Sequence, residues 1–363
     1  MDPRLDIAQI APLIESVPPE YYGGTERIVS YLTEELVRRG HRVTLFASGD
    51  SETNAELVAG ADGALRLSGR GHLGQAYHLL QMEEVLERAA DFDVVHSHLD
   101  VLFYPFARRL PAANLSTLHG RLDLPGLREV YREYDEMPLV SISEAQRRPI
   151  GRANWFDTIY HGLPMDLYRF RAEPGDYLAF LGRISPEKRV DSAIRVALRA
   201  GIPLKIAAKV DEVDRDYFHA EIEPMLDHRL VEFVGEIDER QKGRFLGDAL
   251  GLLFLVDWPE PFGLAMIEAM ACGTPVIARR VGSVPEVVDE GRTGWICRDE
   301  EEAVICVREL ESFDRREVRR VFERRFSVER MADDYLVVYR RLLERRGAGR
   351  LAEISRGSSH PRI

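Results

Sequence analysis

The chain has 363 residues, 45% of them hydrophobic and 30% charged, with a formal net charge of −12. That length suggests about two domains, with apolar material for two cores and no need of disulfide or metal staples. The composition excludes global disorder, the acidic balance argues against nucleic acid as a partner, and no run approaches the ~18 apolar residues of a membrane span.

Short apolar strands alternate with amphipathic helices along the chain. Asp6–Pro12 reads as a strand. Thr25–Arg39 reads as a helix with Ile28, Val29, Leu32 and Leu36 on one face, stopped by Gly40. Arg42–Ser48 is the next strand, Gln75–Ala90 a helix, and Val94–His98, Leu115–His119 and Leu139–Ser143 are strands. Then the pattern restarts. Tyr177–Gly182 is a strand and Pro186–Ala200 a helix, followed by strands at Leu204–Val210, Val231–Gly235, Leu252–Val256 and Val276–Ala278. The fold class is α/β, with two doubly wound, Rossmann-like domains facing across a cleft. Residues 1–165 form the first domain and 175–330 the second, with a linker at Leu163–Asp176. Residues 331–346 form an Arg-rich helix that is a candidate to pack back on the first domain, and 347–363 a flexible tail. Ligands of such sheets bind beyond the carboxyl ends of the strands.

Several motifs are set aside. Gly69–Gly74 spells G-x-G-x-x-G, but no strong strand runs into it and no acidic ribose partner follows about twenty residues on. Asp91-Phe92-Asp93 and Asp214-Arg215-Asp216 spell D-x-D at element boundaries, where charges are common. His96 and His98 end a strand and share a face, without a third metal ligand nearby. Cys272, Cys297 and Cys306 match no zinc spacing and read as reduced thiols. Met1–Asp6 does not open a signal peptide, so a cytoplasmic location is expected, with at most peripheral membrane contact through the Arg pairs of the last helix.

Three segments suit a phosphate. Gly23 and Gly24, between the first strand and its helix, allow backbone N–H groups to approach an anion at a helix N-terminus. Arg183 and Lys188 follow a strand and supply two positive charges, enough for the two negative charges of a diphosphate diester. Glu260, Phe262, Gly263, Leu264 and Glu268 span a loop and the start of a helix that ends near Gly273. A carboxylate such as Glu268, set between Ile267 and Met270, needs a polar partner; a sugar or ribose diol would serve.

These segments resemble the retaining, nucleotide-sugar-dependent family 4 glycosyltransferases of the GT-B fold. The resemblance covers almost the whole chain, through "APLIESVPPEYYGGTER", "DVVHSH", "TLHG", "YHGLPMDLYRF", "FLGRISPEKRVDSAI" and "EPFGLAMIEAMACGTPV". It implies that Gly23 and Gly24 lie over the donor diphosphate and that Arg183 and Lys188 hold it. It implies that Glu260 meets the donor sugar hydroxyls, Phe262, Gly263 and Leu264 surround sugar and phosphates, and Glu268 accepts from the ribose. His119 would stand near the reacting face of the sugar, with Ile237 and Lys242 by the nucleobase. His161-Gly162 and Gly282-Ser283 depart from the usual Asn-Gly and Gly-Gly of the family.

The expected activity is transfer of a hexose, with retention, from a nucleoside diphosphate sugar such as UDP-glucose to a hydroxyl acceptor. It needs no metal and no cofactor. A nucleotide-sugar epimerase of the same architecture and an inactive nucleotide-sugar-binding protein are the alternatives. The acceptor is not identified; Asp50–Gly74 and Arg121–Glu136 are the segments expected to meet it.

Overall fold

The computed structural model describes residues 3–357, with side chains through residue 347. A seven-stranded sheet holds β1 (Asp6–Ile10), β2 (Arg42–Ser48), β3 (Glu56–Ala61), β4 (Val94–Ser97), β5 (Ala113–Thr117), β6 (Leu139–Ser141) and β7 (Trp155–Thr158). A six-stranded sheet holds β8 (Leu178–Ile184), β9 (Leu204–Val210), β10 (Val231–Gly235), β11 (Gly251–Phe254), β12 (Val276–Arg279) and β13 (Gly294–Cys297). The strand orders are β3-β2-β1-β4-β5-β6-β7 and β10-β9-β8-β11-β12-β13. Ladder pairs are parallel in both; Ile7, for example, lies opposite both Val43 and Val94. The order reverses beside β1 in one sheet and beside β8 in the other. A crevice opens at such a point, because the crossovers leave on opposite faces.

The helices used below are α1 (Gly24–Arg38), α2 (Val190–Ala200), α3 (Glu239–Gly247), α4 (Leu264–Cys272), α5 (Arg315–Arg325) and α6 (Val328–Gly357). On α1, Ile28, Val29, Leu32 and Leu36 are buried, which is the face the spacing predicts. Helix α4 is apolar almost all round, and Met266, Ile267, Ala269, Met270 and Ala271 are buried between the second sheet and α5. One hydrophobic cluster runs from Ile7 and Ile28 through Tyr335 and Tyr339 to Met266 and Leu252, so the halves share a core as well as a cleft. Polar ties also cross: the ion pair of Arg27 with Glu239, Ser143 Oγ to the Pro261 carbonyl at 2.6 Å, and the backbone N–H groups of Glu144 and Ala145 to Glu286 at 2.7 Å.

The sequence reading differs from the fold at six places. Strands β3, β7 and β13 were not expected; the first lies inside the segment read as an acceptor loop. Each is an edge strand of four to six residues, too short for a clear apolar run. The helix expected at Pro186–Ala200 is broken. Pro186–Lys188 form one 3₁₀ turn, Arg189 takes φ 54°, and α2 starts at Val190. Arg183 lies within β8 rather than in the loop after it. Helix α6 starts at Val328 and runs to Gly357, past the Arg346 end read from the sequence; residues 358–363 of the expected tail lie outside the described residues. No described helix is long and apolar enough to cross a membrane.

Candidate active site

A cavity of about 610 Å³ lies between the carboxyl ends of the two sheets, where both strand orders reverse. Gly23, Gly24, His119, Arg183, Lys188, Ile237, Lys242, Glu260, Phe262, Gly263, Leu264 and Glu268 all line it. Two helix N-termini open onto it. Gly23 caps α1 and Gly263 caps α4, neither with a side-chain hydrogen bond. Their first N–H groups are therefore free for an anion. Gly263 holds φ 83°, and a Cβ there would stand 2.8 Å from the Phe254 ring. Both facts require glycine at that turn.

The cations come from neighbouring strands and one turn. Arg183 on β8 is in register with Lys209 on β9, which puts both side chains on one face at the strand ends. Arg183 bonds Glu187 at 2.7 Å and has Asp211 and Asp214 at 3.6 and 3.9 Å; Lys209 bonds Asp211 at 2.6 Å and lies 5.5 Å from the centre of the Tyr22 ring. Lys188 ends the 3₁₀ turn, which the Asp257 N–H ties to the Glu260 segment by donating to the Glu187 carbonyl at 2.8 Å.

Glu260 and Glu268 are buried, and each has a lysine. Lys188 Nζ stands 2.5 Å from Glu260 Oε2 and 4.8 Å from the Trp258 ring centre. The Trp258 indole N–H donates to the same oxygen at 2.9 Å. Lys242, on α3, donates to Glu268 at 3.0 Å. So the polar partner that Glu268 needs is supplied by the protein itself, from a lysine that the sequence reading set beside the nucleobase. The Glu260 loop rests on Gly282 and Ser283. Gly282 takes φ 49° with its would-be Cβ 2.5 Å from the Glu260 nitrogen. The Ser283 hydroxyl donates to the Phe262 carbonyl at 2.8 Å, so the serine that departs from the family pattern braces the loop. The Phe262 side chain is core, packed edge-on against His161 at 4.8 Å.

On the first-domain side, His119 stacks on His161 with ring centres 5.2 Å apart and planes 16° apart. Burial pushes His119 down to about 3 and holds His161 well below the usual histidine value, so both rings are neutral at pH 7. Asp100, at φ 49°, has its carboxyl pushed up to about 7 by burial. Glu26, in the first turn of α1, is likewise pushed up to about 7 by burial. Lys209, Trp258 and His161 also line the cavity and were missed as site residues. The register of β9 with β8 gives Lys209 its place, and the Trp258-Pro-Glu260 spacing was the available signal for the indole. Among the described residues no group of three or more His, Cys, Asp or Glu is placed to hold a metal ion.

Comparison with known proteins gives two family matches: Glycosyltransferase Family 4 over residues 22–160 and Glycosyl transferases group 1 over residues 170–323. The chain belongs to the group 1, family 4 glycosyltransferases. It is 26% identical over 330 residues to D-inositol 3-phosphate glycosyltransferase of Mycobacteroides abscessus, covering 76% of this chain and 73% of that one. A shorter match, 43% over 67 residues, is to N-acetyl-alpha-D-glucosaminyl L-malate synthase of Bacillus anthracis and spans only 17% of that enzyme. Among solved structures, AviGT4, a glycosyltransferase of avilamycin A biosynthesis, superposes with a TM-score of 0.73 at 26% identity, covering 94% of this chain and 98% of that one. Anabaena HepE in complex with UDP and glucose has a TM-score of 0.71 at 18% identity, with 92% and 98% covered, and shares the fold. The glycosyltransferase thus has the GT-B architecture, retains anomeric configuration and draws on a nucleotide sugar.

Proposed function

We propose that this glycosyltransferase moves a hexose from a UDP-glucose-type donor to a hydroxyl acceptor without a metal ion. The observation that carries the reading is the convergence, in one cavity, of two uncapped helix N-termini with Arg183 and Lys188. Departure of a nucleoside diphosphate builds negative charge on its phosphate oxygens. Fixed cations and N–H groups aimed there stabilise the transition state most where water is excluded. Arg183 and Lys188 supply the charge, and the Gly23-Gly24 turn covers the diphosphate from the first domain. Glu268 and Lys242 sit at the nucleoside end, with Ile237 against the base. Glu260, oriented by Trp258 and Lys188, meets the sugar hydroxyls, and His119 borders the reacting face.

The polar ties across the cleft support a closed arrangement that keeps water from the oxocarbenium-like carbon. The acceptor enters from the first domain, past 50–74 and 121–136. UDP is the nucleotide of the HepE complex, and uracil is the base proposed for this donor. The test is release of nucleoside diphosphate from a panel of nucleotide sugars, with Arg183→Ala beside the wild type. A UDP-hexose should be the preferred substrate. The variant should lose about 10²–10³-fold in kcat/KM, the scale of one transition-state charge stabiliser. No turnover of any nucleotide hexose, or a variant at wild-type rate, refutes it.

A further inference from the structure

Behind His119 lies a buried chain of hydrogen bonds that the donor contacts above leave unused. His119 Nε2 is 2.8 Å from His98 Nδ1, and His98 Nε2 is 2.9 Å from Gln9 Oε1. The Gln9 amide N–H donates to the Tyr339 hydroxyl at 3.1 Å, and that hydroxyl is 2.8 Å from His96 Nδ1. Gln9 is on β1, His96 is on β4, His98 follows its end, and Tyr339 is on α6. All four side chains are buried.

A buried neutral imidazole has one N–H and one lone pair, and its partners decide which nitrogen has which. Gln9 Oε1 only accepts, so His98 must carry its proton on Nε2 and present a lone pair at Nδ1. His119 must then donate from Nε2. Its lone pair is left at Nδ1, a buried atom with no hydrogen-bond partner among the described residues, in a ring that lines the cavity wall. Burial holds the His96, His98 and His119 rings below the usual histidine value, so no second proton breaks the sequence near neutral pH.

We propose that Gln9 and His98 are positioning residues which fix His119 as the Nε2–H tautomer, so that Nδ1 accepts a hydrogen bond from a sugar hydroxyl. Tyr339 anchors the amide: its hydroxyl takes the Gln9 N–H, which leaves the amide oxygen facing His98. The last helix therefore reaches the site through this amide. A donor that presents only an acceptor atom at that point finds no partner. The inference rests on the donor reading for its last bond only; the tautomers belong to the protein alone.

The test is long-range ¹H–¹⁵N correlation of ¹⁵N-histidine-labelled protein without ligand, with the two rings assigned by His98→Asn and His119→Asn. In the wild type, Nδ1 of both His98 and His119 should give the signal of an unprotonated nitrogen. A protonated Nδ1 at His119 overturns the proposal, whether or not any variant folds. Gln9→Leu should then convert the single His119 tautomer into an averaged pair of signals. It should lower kcat/KM for the nucleotide sugar about 10-fold, the scale of one net hydrogen bond, and leave the Kd of the free diphosphate unchanged. An unaltered His119 signal in that variant overturns the relay. If the wild type turns over no nucleotide sugar, the donor reading fails, and the tautomer measurement still stands or falls by itself.

Discussion

Lys188 and Glu260 form a pair whose removal should be felt in stability as well as in catalysis. Their side chains are 15% and 10% exposed, with Nζ 2.5 Å from the carboxylate. Lys188→Ala leaves that carboxylate in the cavity wall with the Trp258 N–H as its remaining side-chain donor. Breaking a buried pair on one side costs ~3–5 kcal/mol, because a charge is left without compensation. The retained indole bond and the open cavity put this case at the lower end, about 3 kcal/mol. For a folding unit of some 150–250 residues, that corresponds to a thermal midpoint about 6–12 °C lower. Glu260→Gln keeps an amide oxygen as acceptor for the Trp258 and Lys188 donors, and the Lys188 charge still lies over the Trp258 ring at the cavity wall, so it should cost less, about 1 kcal/mol. In Lys188→Ala/Glu260→Gln there is no stranded charge, and most of the loss should be recovered. With a double variant down by about 1 kcal/mol, thermal midpoints of the four proteins give a coupling of about 3 kcal/mol in favour of the pair. All three variants should transfer sugar poorly, so the stability cycle separates the ion pair from the chemistry. If the double variant is as unstable as Lys188→Ala, the lysine supports its turn by packing alone, and the electrostatic account of Glu260 is wrong.

The two glutamates should separate in binding. Glu268→Ala removes the ribose acceptor and should weaken free UDP about 10- to 150-fold by calorimetry, the range of a hydrogen bond to a charged group; Glu260→Ala should leave that Kd near wild type while lowering kcat. Equal weakening by both would end the division of roles. Activity should survive excess EDTA; loss with rescue by Mn²⁺ would point instead to one of the D-x-D pairs. Glu26 gives a pH signature. Burial raises its folded value from the ordinary 4.5 to about 7, so between these values the native state holds a proton that the unfolded chain has released. Stability therefore falls as pH rises from about 4.5 to about 7, and the loss is complete above that. Glu26→Gln should raise the thermal midpoint at pH 8 relative to wild type and leave it nearly unchanged at pH 4.5; an equal shift at both values would rule out the buried carboxyl as the cause.

What the sequence makes legible here follows from where the information is local. The apolar face of α1 and the glycine stops of α4 are written within single elements, and there the reading and the fold agree. The edge strands β3, β7 and β13 are written mostly in their neighbours: ladder pairing makes Glu56–Ala61 a strand, and no run within those six residues announces it. The site divides the same way. Glu260, Gly263 and Glu268 fall within nine residues and are visible as a motif. Lys209 is visible only once β9 is laid beside β8 and its side chain falls next to Arg183. His119 is the sharpest case. Its position just beyond β5 is a local fact, but the nitrogen it offers depends on Gln9 from β1, His98 beyond β4 and Tyr339 from α6. No window of the sequence contains those residues together. The two switch points explain why the chain must be assembled this way: a crevice at the reversal of each sheet draws its walls from strands far apart in sequence. A site built there has a legible phosphate end, carried by loops and helix starts, and a sugar end whose hydrogen-bond polarity is set by the packed core behind it.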